Sequence, residues 1–390
     1  YTYLGALLHE TNGLSGAADA LAAAGSKAMH ALLTRCRRTN LTQFDMKSRL
    51  FDALVEPVLS YASHIWGPLT FKKLRASPFN TKSEKVHTAY LRIMAGAGKS
   101  TSLDVIYRDF HRLPIMYHWV VLAVRWWNKM SQAQQGDPSM AGCAWVEDVK
   151  LAVAGCATCW SSHVLRTMCS LGLLDQGWRQ QPLEGLLALS WEEPTVQHAL
   201  NSFFRSRWQG PFHDDPRLAP TKGVAMCHSA KWVLPVDPAT DHYDRASAPA
   251  HTRLCLPFAR LRNLAQLRLG CAHLEVEQGR KCRPKIPRHD RLCKLCSAGS
   301  ATPAHRVTVL NRTGTNRNVE DLKHFLLECP AYDDLRAACP AFPSDVYATL
   351  SAPGCVAAVM GHADQAGLAN TLFVMKTRRS VLLGLPVSMI

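Results

Sequence analysis

Four residues, Cys293-x2-Cys296 and His324-x4-Cys329, constrain this chain's fold more than any other feature. Two thiolates two residues apart can grip one ion from a tight turn, and a histidine with a third thiolate can close the tetrahedron from a helix start. Soft thiolates beside an imidazole suit zinc. Four protein ligands leave no open coordination position, so the spacing predicts a structural zinc site rather than a catalytic one. In a small lobe, metal binding worth about 10–16 kcal/mol in apparent terms is largely the folding energy. The two ligand pairs are separated by 27 residues that include the polar run "HRVTVLNRTGTNRNVE". That length makes His289 and His305 alternative ligands. The competing reading is four unrelated core or surface residues.

Three other motifs resemble sites and fail a physical test. Cys156, Cys159, His163 and Cys169 form C-x2-C-x3-H-x5-C inside a stretch, Val149 to Leu174, whose periodicity predicts one helix. No glycine separates them to turn the chain around an ion, so they read as buried thiols. "AYDDLR" places Asp333 and Asp334 at a predicted helix start, where acids favour the macrodipole. "MAGAGKSTSL", Met94 to Leu103, has the look of a phosphate loop, which needs glycine five positions before its G-K-[ST]. That position is Ile93, and "KSEKVHTAYLRIM" ahead of it is helical in pattern. The stretch therefore reads as a glycine-rich helix stop, followed by Ser100 to Ser102 capping the next helix. No nucleotide is expected at Gly96–Ser100.

The 390 residues are 47% hydrophobic, so the chain should fold. Lys and Arg number 45 against 30 acids, a formal +15, which points to a polyanionic partner, usually nucleic acid. The excess is concentrated in Arg253 to Lys294, with eleven basic residues against three acids, a net +8. No uncharged apolar run reaches the ~18 residues of a membrane span. Fourteen irregularly spaced cysteines without a signal peptide favour free thiols plus a metal site. A start at Tyr1, with no initiator Met, reads as a fragment of something longer, expected inside the cell, nuclear or cytoplasmic.

Periodicity predicts a mainly α chain. "YTYLGALL" reads as a short strand. "SKAMHALLTRCRR" and "DMKSRLFDALVEPVLSYASHIWG" read as helices, the second broken or kinked at Pro57. "LPIMYHWVVLAVRWWNKM" is an apolar helix opened by Pro114, whose Trp119, Trp126 and Trp127 read as core. "SWEEPTVQHALNSFFRSRW" is another helix, with Pro194 near its start. "QGDPSMAG" reads as a linker, and "DPRLAPTKG" and "LPVDPATDHYDRASAPAH" as loops. The apolar tail from Val346 is helical in pattern. The expected division is 1–78, a short strand and helices; 79–135, a helical region; 136–250, a helical and loop-rich connection; 251–345, the basic lobe with the Cys/His site; and 346–390, a helical tail.

These segments together resemble the C-terminal part of LINE-type, non-LTR retrotransposon reverse transcriptases. "YTYLG" is similar to the end of the palm, and "LFDALVEPVLSYASHIWGP" to the thumb segment. "KVHTAYLRIMAGAGKSTSLDVIYRDFHRLPI" resembles the stretch that follows the thumb. "LAQLRLGCAHLEVEQGRKCRPKIPRHDRLCKLC…HFLLECPAYDDLR" looks like the family's basic lobe and CCHC knuckle. His64 stands where many members carry glutamate, and the loop within the knuckle is longer than usual.

The resemblance implies RNA or DNA as partner; within the basic segment, Arg260, Arg262, Arg268, Arg280, Lys281, Arg283, Lys285, Arg288 and Arg291 are the candidate phosphate contacts, and the alternative for any one of them is a solvated cation. It implies zinc at Cys293, Cys296, His324 and Cys329. The family's catalytic aspartates lie upstream of the Y-L-G and are not in this sequence, so no catalytic residue is assigned. Polymerisation needs carboxylates holding two Mg²⁺ ions, and magnesium belongs to the parent polymerase. The alternatives are a zinc-stabilised protein-interaction module, or a decayed retroelement reading frame with no selected activity.

Overall fold

The computed structural model describes residues 2–3, 6–7, 15–133, 139–209, 250–297, 319–342 and 352–385. The chain is mainly helical. The expected strand at the start is an antiparallel pair of two-residue strands, Thr2–Tyr3 and Ala6–Leu7, with Thr2 opposite Leu7 and Tyr3 opposite Ala6. The predicted loops between 210 and 249, and residues 135–138 of the linker "QGDPSMAG", lie outside the described residues; the second half of that linker is not a linker but a helix start, with Ser139 capping Met140–Val153 through a bond from Gly142 N–H. The chain forms two compact units, each discontinuous in sequence: Tyr1–Asn40, Lys47–Tyr90 and Leu113–His213 in one, Leu41–Met46, Leu91–Arg112 and Asp214–Ile390 in the other.

The first unit is organised by the apolar helix Ile115–Ala133, which starts directly after Pro114. Its first amide, Ile115 N–H, donates to the Glu84 carboxylate at 2.7 Å, and the other Glu84 oxygen faces His87 Nδ1 at 3.1 Å. A fully buried carboxylate thus satisfies one of the donors a helix start leaves orphaned. Trp119 and Trp127 are fully buried, as their periodicity predicts. Trp127 lies 5.1 Å from Trp145, 5.6 Å from Trp191 and 6.0 Å from Trp160, ring centre to ring centre. Its indole N–H finds the Leu189 carbonyl at 3.0 Å, as a buried indole requires.

Pro57 ends one helix and opens another: Phe44–Leu54 stops, and Glu56–Leu59 begins with the proline in its first turn. The predicted helix from Val149 to Leu174 is in fact two, Met140–Val153 and Trp160–Ser170. Gly155 breaks it at φ +100°, with Gly155 N–H donating to the Ala152 carbonyl and Cys156 N–H to that of Leu151. This is the paired closure of a left-handed helix cap. Cys156 and Cys159 accordingly sit on the turn, not on an apolar helix face, and both are partly exposed. Gly155 was visible in the sequence; the apolar run around it outweighed the helix-stop signal.

In the second unit, helix Phe258–Arg268 lies against Gln365–Leu382. A buried carboxylate ties its parts together. Asp109 ends helix Leu103–Asp109, and its oxygens face Arg268 Nε at 2.8 Å and His251 Nε2 at 3.3 Å. Arg268 also donates to the Met360 carbonyl at 3.0 Å. Burial alone would raise the Asp109 pKa, but Arg268 and then His251 outweigh it and hold it at about 2.

"GAGKST" is the cap its spacing predicts. Helix Lys82–Ala95 ends at Gly96, φ +63°. Ala97 N–H returns to the Arg92 carbonyl at 2.9 Å and Gly96 N–H to that of Ile93 at 3.3 Å. Arg92 also donates to the carbonyls of Gly98 and Thr101, which holds the turn in shape.

Candidate metal centre

Cys293 and Cys296 flank and enter a single turn, Lys294–Ser297, that follows a β-bridge between Leu292 and Val319. The other pair is carried by an unusual element. His324–Glu328 is a π-helical turn, and Cys329 N–H donates to the His324 carbonyl at 2.8 Å. An i→i−5 bond brings residues five apart onto one side of the chain, which the H-x4-C spacing needs; such turns recur at functional sites. The turn is capped by Asp321, whose Oδ1 accepts from His324 N–H at 3.0 Å.

The four donors converge: the ligand atoms of Cys293, Cys296, His324 and Cys329 all lie within 4.8 Å of one another. Cys293 Sγ is 4.0 Å and Cys296 Sγ 3.8 Å from Cys329 Sγ, and Cys296 Sγ is 3.4 Å from His324 Nε2. A tetrahedral ion about 2.3 Å from each sulfur and about 2.0–2.1 Å from nitrogen gives edges of about 3.8 Å and 3.5 Å. The cluster could therefore hold a metal ion. Burial would lower the His324 pKa, but the surrounding thiols of Cys293, Cys296 and Cys329, with Glu328, raise it far above that of an ordinary histidine.

The residues behind the ligands were not singled out in the sequence. Glu328 Oε2 stands 3.8 Å from His324 Nδ1, the ring nitrogen pointing away from the thiols. A carboxylate there orients the imidazole and raises its basicity; its only sequence signal is the four-residue spacing. Arg336, from "AYDDLR", is buried and donates to the Cys329 carbonyl at 2.6 Å and that of Leu326 at 3.4 Å. Asp333 begins a helix and pairs with Arg336, while Asp334 forms a two-toothed pair with Arg378 at 2.5 and 2.7 Å. Both acids lie on an exposed helix start. Glu320 lies 3.9 Å from Cys293 Sγ and is held by Arg379 through two bonds of 2.6 and 2.7 Å.

His289 is not part of the cluster; it is exposed and faces Asp290 at 3.4 Å. His305 lies outside the described residues. Among the described residues Cys156, Cys159, His163 and Cys169 do not form a ligand group, and all thirteen cysteines are free thiols.

The nine basic residues fall into different places. Arg268 is buried on Asp109 and cannot reach a phosphate. Arg291 is a strut, donating to the carbonyls of Ile286 and Val276 at 2.8 and 2.7 Å. Arg260 bonds Asn370 at 2.6 Å and lies over the Phe373 ring. Arg280 pairs with Glu277 at 2.6 Å and Arg288 with Asp321 at 2.8 Å, both with side chains partly open to solvent. Arg262 is exposed, with its stem and guanidinium against Gly96. Lys281, Arg283 and Lys285 are exposed, and among the described residues none has an ion-pair partner. Sequence could not separate these groups, because the partner of Arg268 is 159 positions away.

No helix among the described residues is long and apolar enough to cross a membrane. No protein-family model, curated protein or solved structure matches this chain.

Proposed function

We propose that this chain is the nucleic-acid-binding C-terminal part of a non-LTR retrotransposon reverse transcriptase, with its basic lobe clamped by a structural zinc ion. The observation that carries this reading is the connection between charge and cage. The exposed row Lys281, Arg283 and Lys285 runs into Arg288, whose guanidinium holds Asp321 Oδ2 at 2.8 Å. The other oxygen of the same carboxylate caps His324. Fixing His324 therefore fixes the chain that displays the cations. Zinc suits the three thiols and one imidazole, and its four-ligand site is closed to substrate, so its role is to fold the lobe. The protein's own residues then bind: Arg262, Arg280, Lys281, Arg283, Lys285 and Arg288 meet phosphates, and no polymerisation step is assigned to them.

The test is the affinity of the zinc-loaded chain for a labelled single-stranded RNA, measured at low salt before and after chelation. Chelation should weaken binding by disordering the lobe, and added zinc should restore it. Unchanged affinity after verified metal loss would refute the clamp. Absence of binding in the zinc-loaded protein would refute the nucleic-acid reading and favour a protein-interaction module.

A further inference from the structure

The second unit contains a cavity of about 430 Å³ beside the metal turn, roofed by Phe325 and edged by Lys294, the neighbours of His324 and Cys293. Its volume lies within the ~300–1,000 Å³ of small-ligand pockets. Leu267, Leu274 and Leu383 contribute apolar wall. Among these apolar groups stands Asn263, 1% exposed, whose carboxamide oxygen and nitrogen both lack any hydrogen-bond partner. A buried amide left with nothing to bond costs stability, and such groups in native proteins call for an explanation. Here both a donor and an acceptor are held ready on a helix that is otherwise packed.

Charge selects among ligands that could satisfy an amide. Two amines line the cavity. Exposed Lys294 faces Glu275 at 2.9 Å, and half-buried Lys376 bonds the Gln266 carboxamide at 3.2 Å. Glu275 and Arg379 also line it and pair at 3.1 Å, so the acid is already shared between two cations. Burial, with Arg262 and Arg379 nearby, pushes the Lys376 amine down to about 8, a penalty that an anion relieves. An uncharged amide-bearing peptide could satisfy Asn263 but brings no anion to the lysines. A nucleotide offers both: a flat base edge with adjacent donor and acceptor, and flanking phosphates. Asn and Gln bond base edges in this two-toothed way, and unstacked bases are how single strands are read.

We propose that this cavity receives one unstacked base of a single-stranded nucleic acid, its edge bonded by Asn263 and its flanking phosphates held by Lys294 and Lys376. This rests on the nucleic-acid reading above and adds that the lobe contacts bases as well as backbone. The zinc-loaded full chain is titrated with a labelled single-stranded oligonucleotide and with the same backbone lacking bases. The substitution Asn263→Leu keeps the volume and removes both bonding groups, so it should not weaken the fold.

The parent protein should prefer the base-bearing strand by about tenfold or more. Asn263→Leu should lose that preference while keeping its affinity for the abasic strand. Equal affinity of the parent for both strands overturns the proposal and leaves backbone binding intact. A preference that survives in Asn263→Leu overturns it too. Displacement of the strand by an asparagine-rich acidic peptide, from the parent but not from Asn263→Leu, would assign the cavity to a peptide instead. If neither strand binds, the nucleic-acid reading itself falls, and this proposal with it.

Discussion

Asp109→Asn should loosen the second unit out of proportion to the one atom changed. The carboxylate is fully buried and faces Arg268, also buried, at 2.8 Å. Neutralising it leaves a guanidinium in the interior with only the Met360 carbonyl and a weakened neighbour. Breaking a buried pair by removing one partner costs about 3–5 kcal/mol. Replacing both partners with apolar groups, as Asp109→Leu with Arg268→Met, should recover most of that, because desolvating the pair offsets much of its attraction. Acid gives a second handle on the same pair. The Asp109 pKa of about 2 lies below its usual 3.8. The stabilisation is therefore fully present above pH ~4 and lost as pH falls through about 2; it amounts to about 2 kcal/mol. The assay is hydrogen–deuterium exchange of peptides covering Leu103–Asp109 and Phe258–Arg268. Protection should drop in the single variant, return in the double variant, and fall in the wild type between pH 4 and 2. Protection that is unchanged in Asp109→Asn would show that the buried pair does not hold these elements together.

Three further outcomes follow. Gly96→Ala forces an L-residue to φ +63° and puts its Cβ 1.9 Å from the Arg262 guanidinium nitrogen, so it should cost about 1 kcal/mol or more in thermal or urea unfolding; Lys99→Ala, beside it, should leave stability and nucleic-acid affinity unchanged. In the first unit His64, His118 and His163 are held below the ordinary histidine pKa, chiefly by burial. The unfolded chain takes up protons near pH 6.5 that the folded unit resists, so its tryptophan-fluorescence melting point should fall as pH drops from 7 to 5; a flat profile would contradict the burial. Cobalt titration of the metal-free chain should reach one equivalent with thiolate charge-transfer absorption. That absorption should shrink in Cys296→Ser and stay whole in Cys156→Ser.

The legible parts of this molecule were local ones. Gly96 and Pro114 mark a helix end and a helix start because each imposes its conformation without help from elsewhere. The four candidate metal ligands were visible because their spacing is set by two turns. The π-helical turn that makes H-x4-C workable was not visible, since no residue type encodes an i→i−5 bond. Gly155 shows the converse: its signal was present, but the surrounding apolar periodicity pointed to one continuous helix. The basic segment was legible as a whole and misleading residue by residue. Arg268 and Arg291 look like their neighbours in sequence, and only a carboxylate and carbonyls brought in by the fold turn them inward. Asn263 gave no sequence signal, because an unpartnered amide is defined by what surrounds it.

The most direct test of the central claim is the salt dependence of oligonucleotide affinity. Each phosphate contact releases counterions, so log K falls with log salt by about 0.7 per contact on single strands. If four to six of Arg262, Arg280, Lys281, Arg283, Lys285 and Arg288 touch phosphate, the slope should be about −3 to −4. Replacing Lys281, Arg283 and Lys285 together with alanine should flatten it by about two, while helical content and cobalt binding stay as in the parent. A triple variant that binds with the parental slope would show that this row of cations is not the nucleic-acid surface.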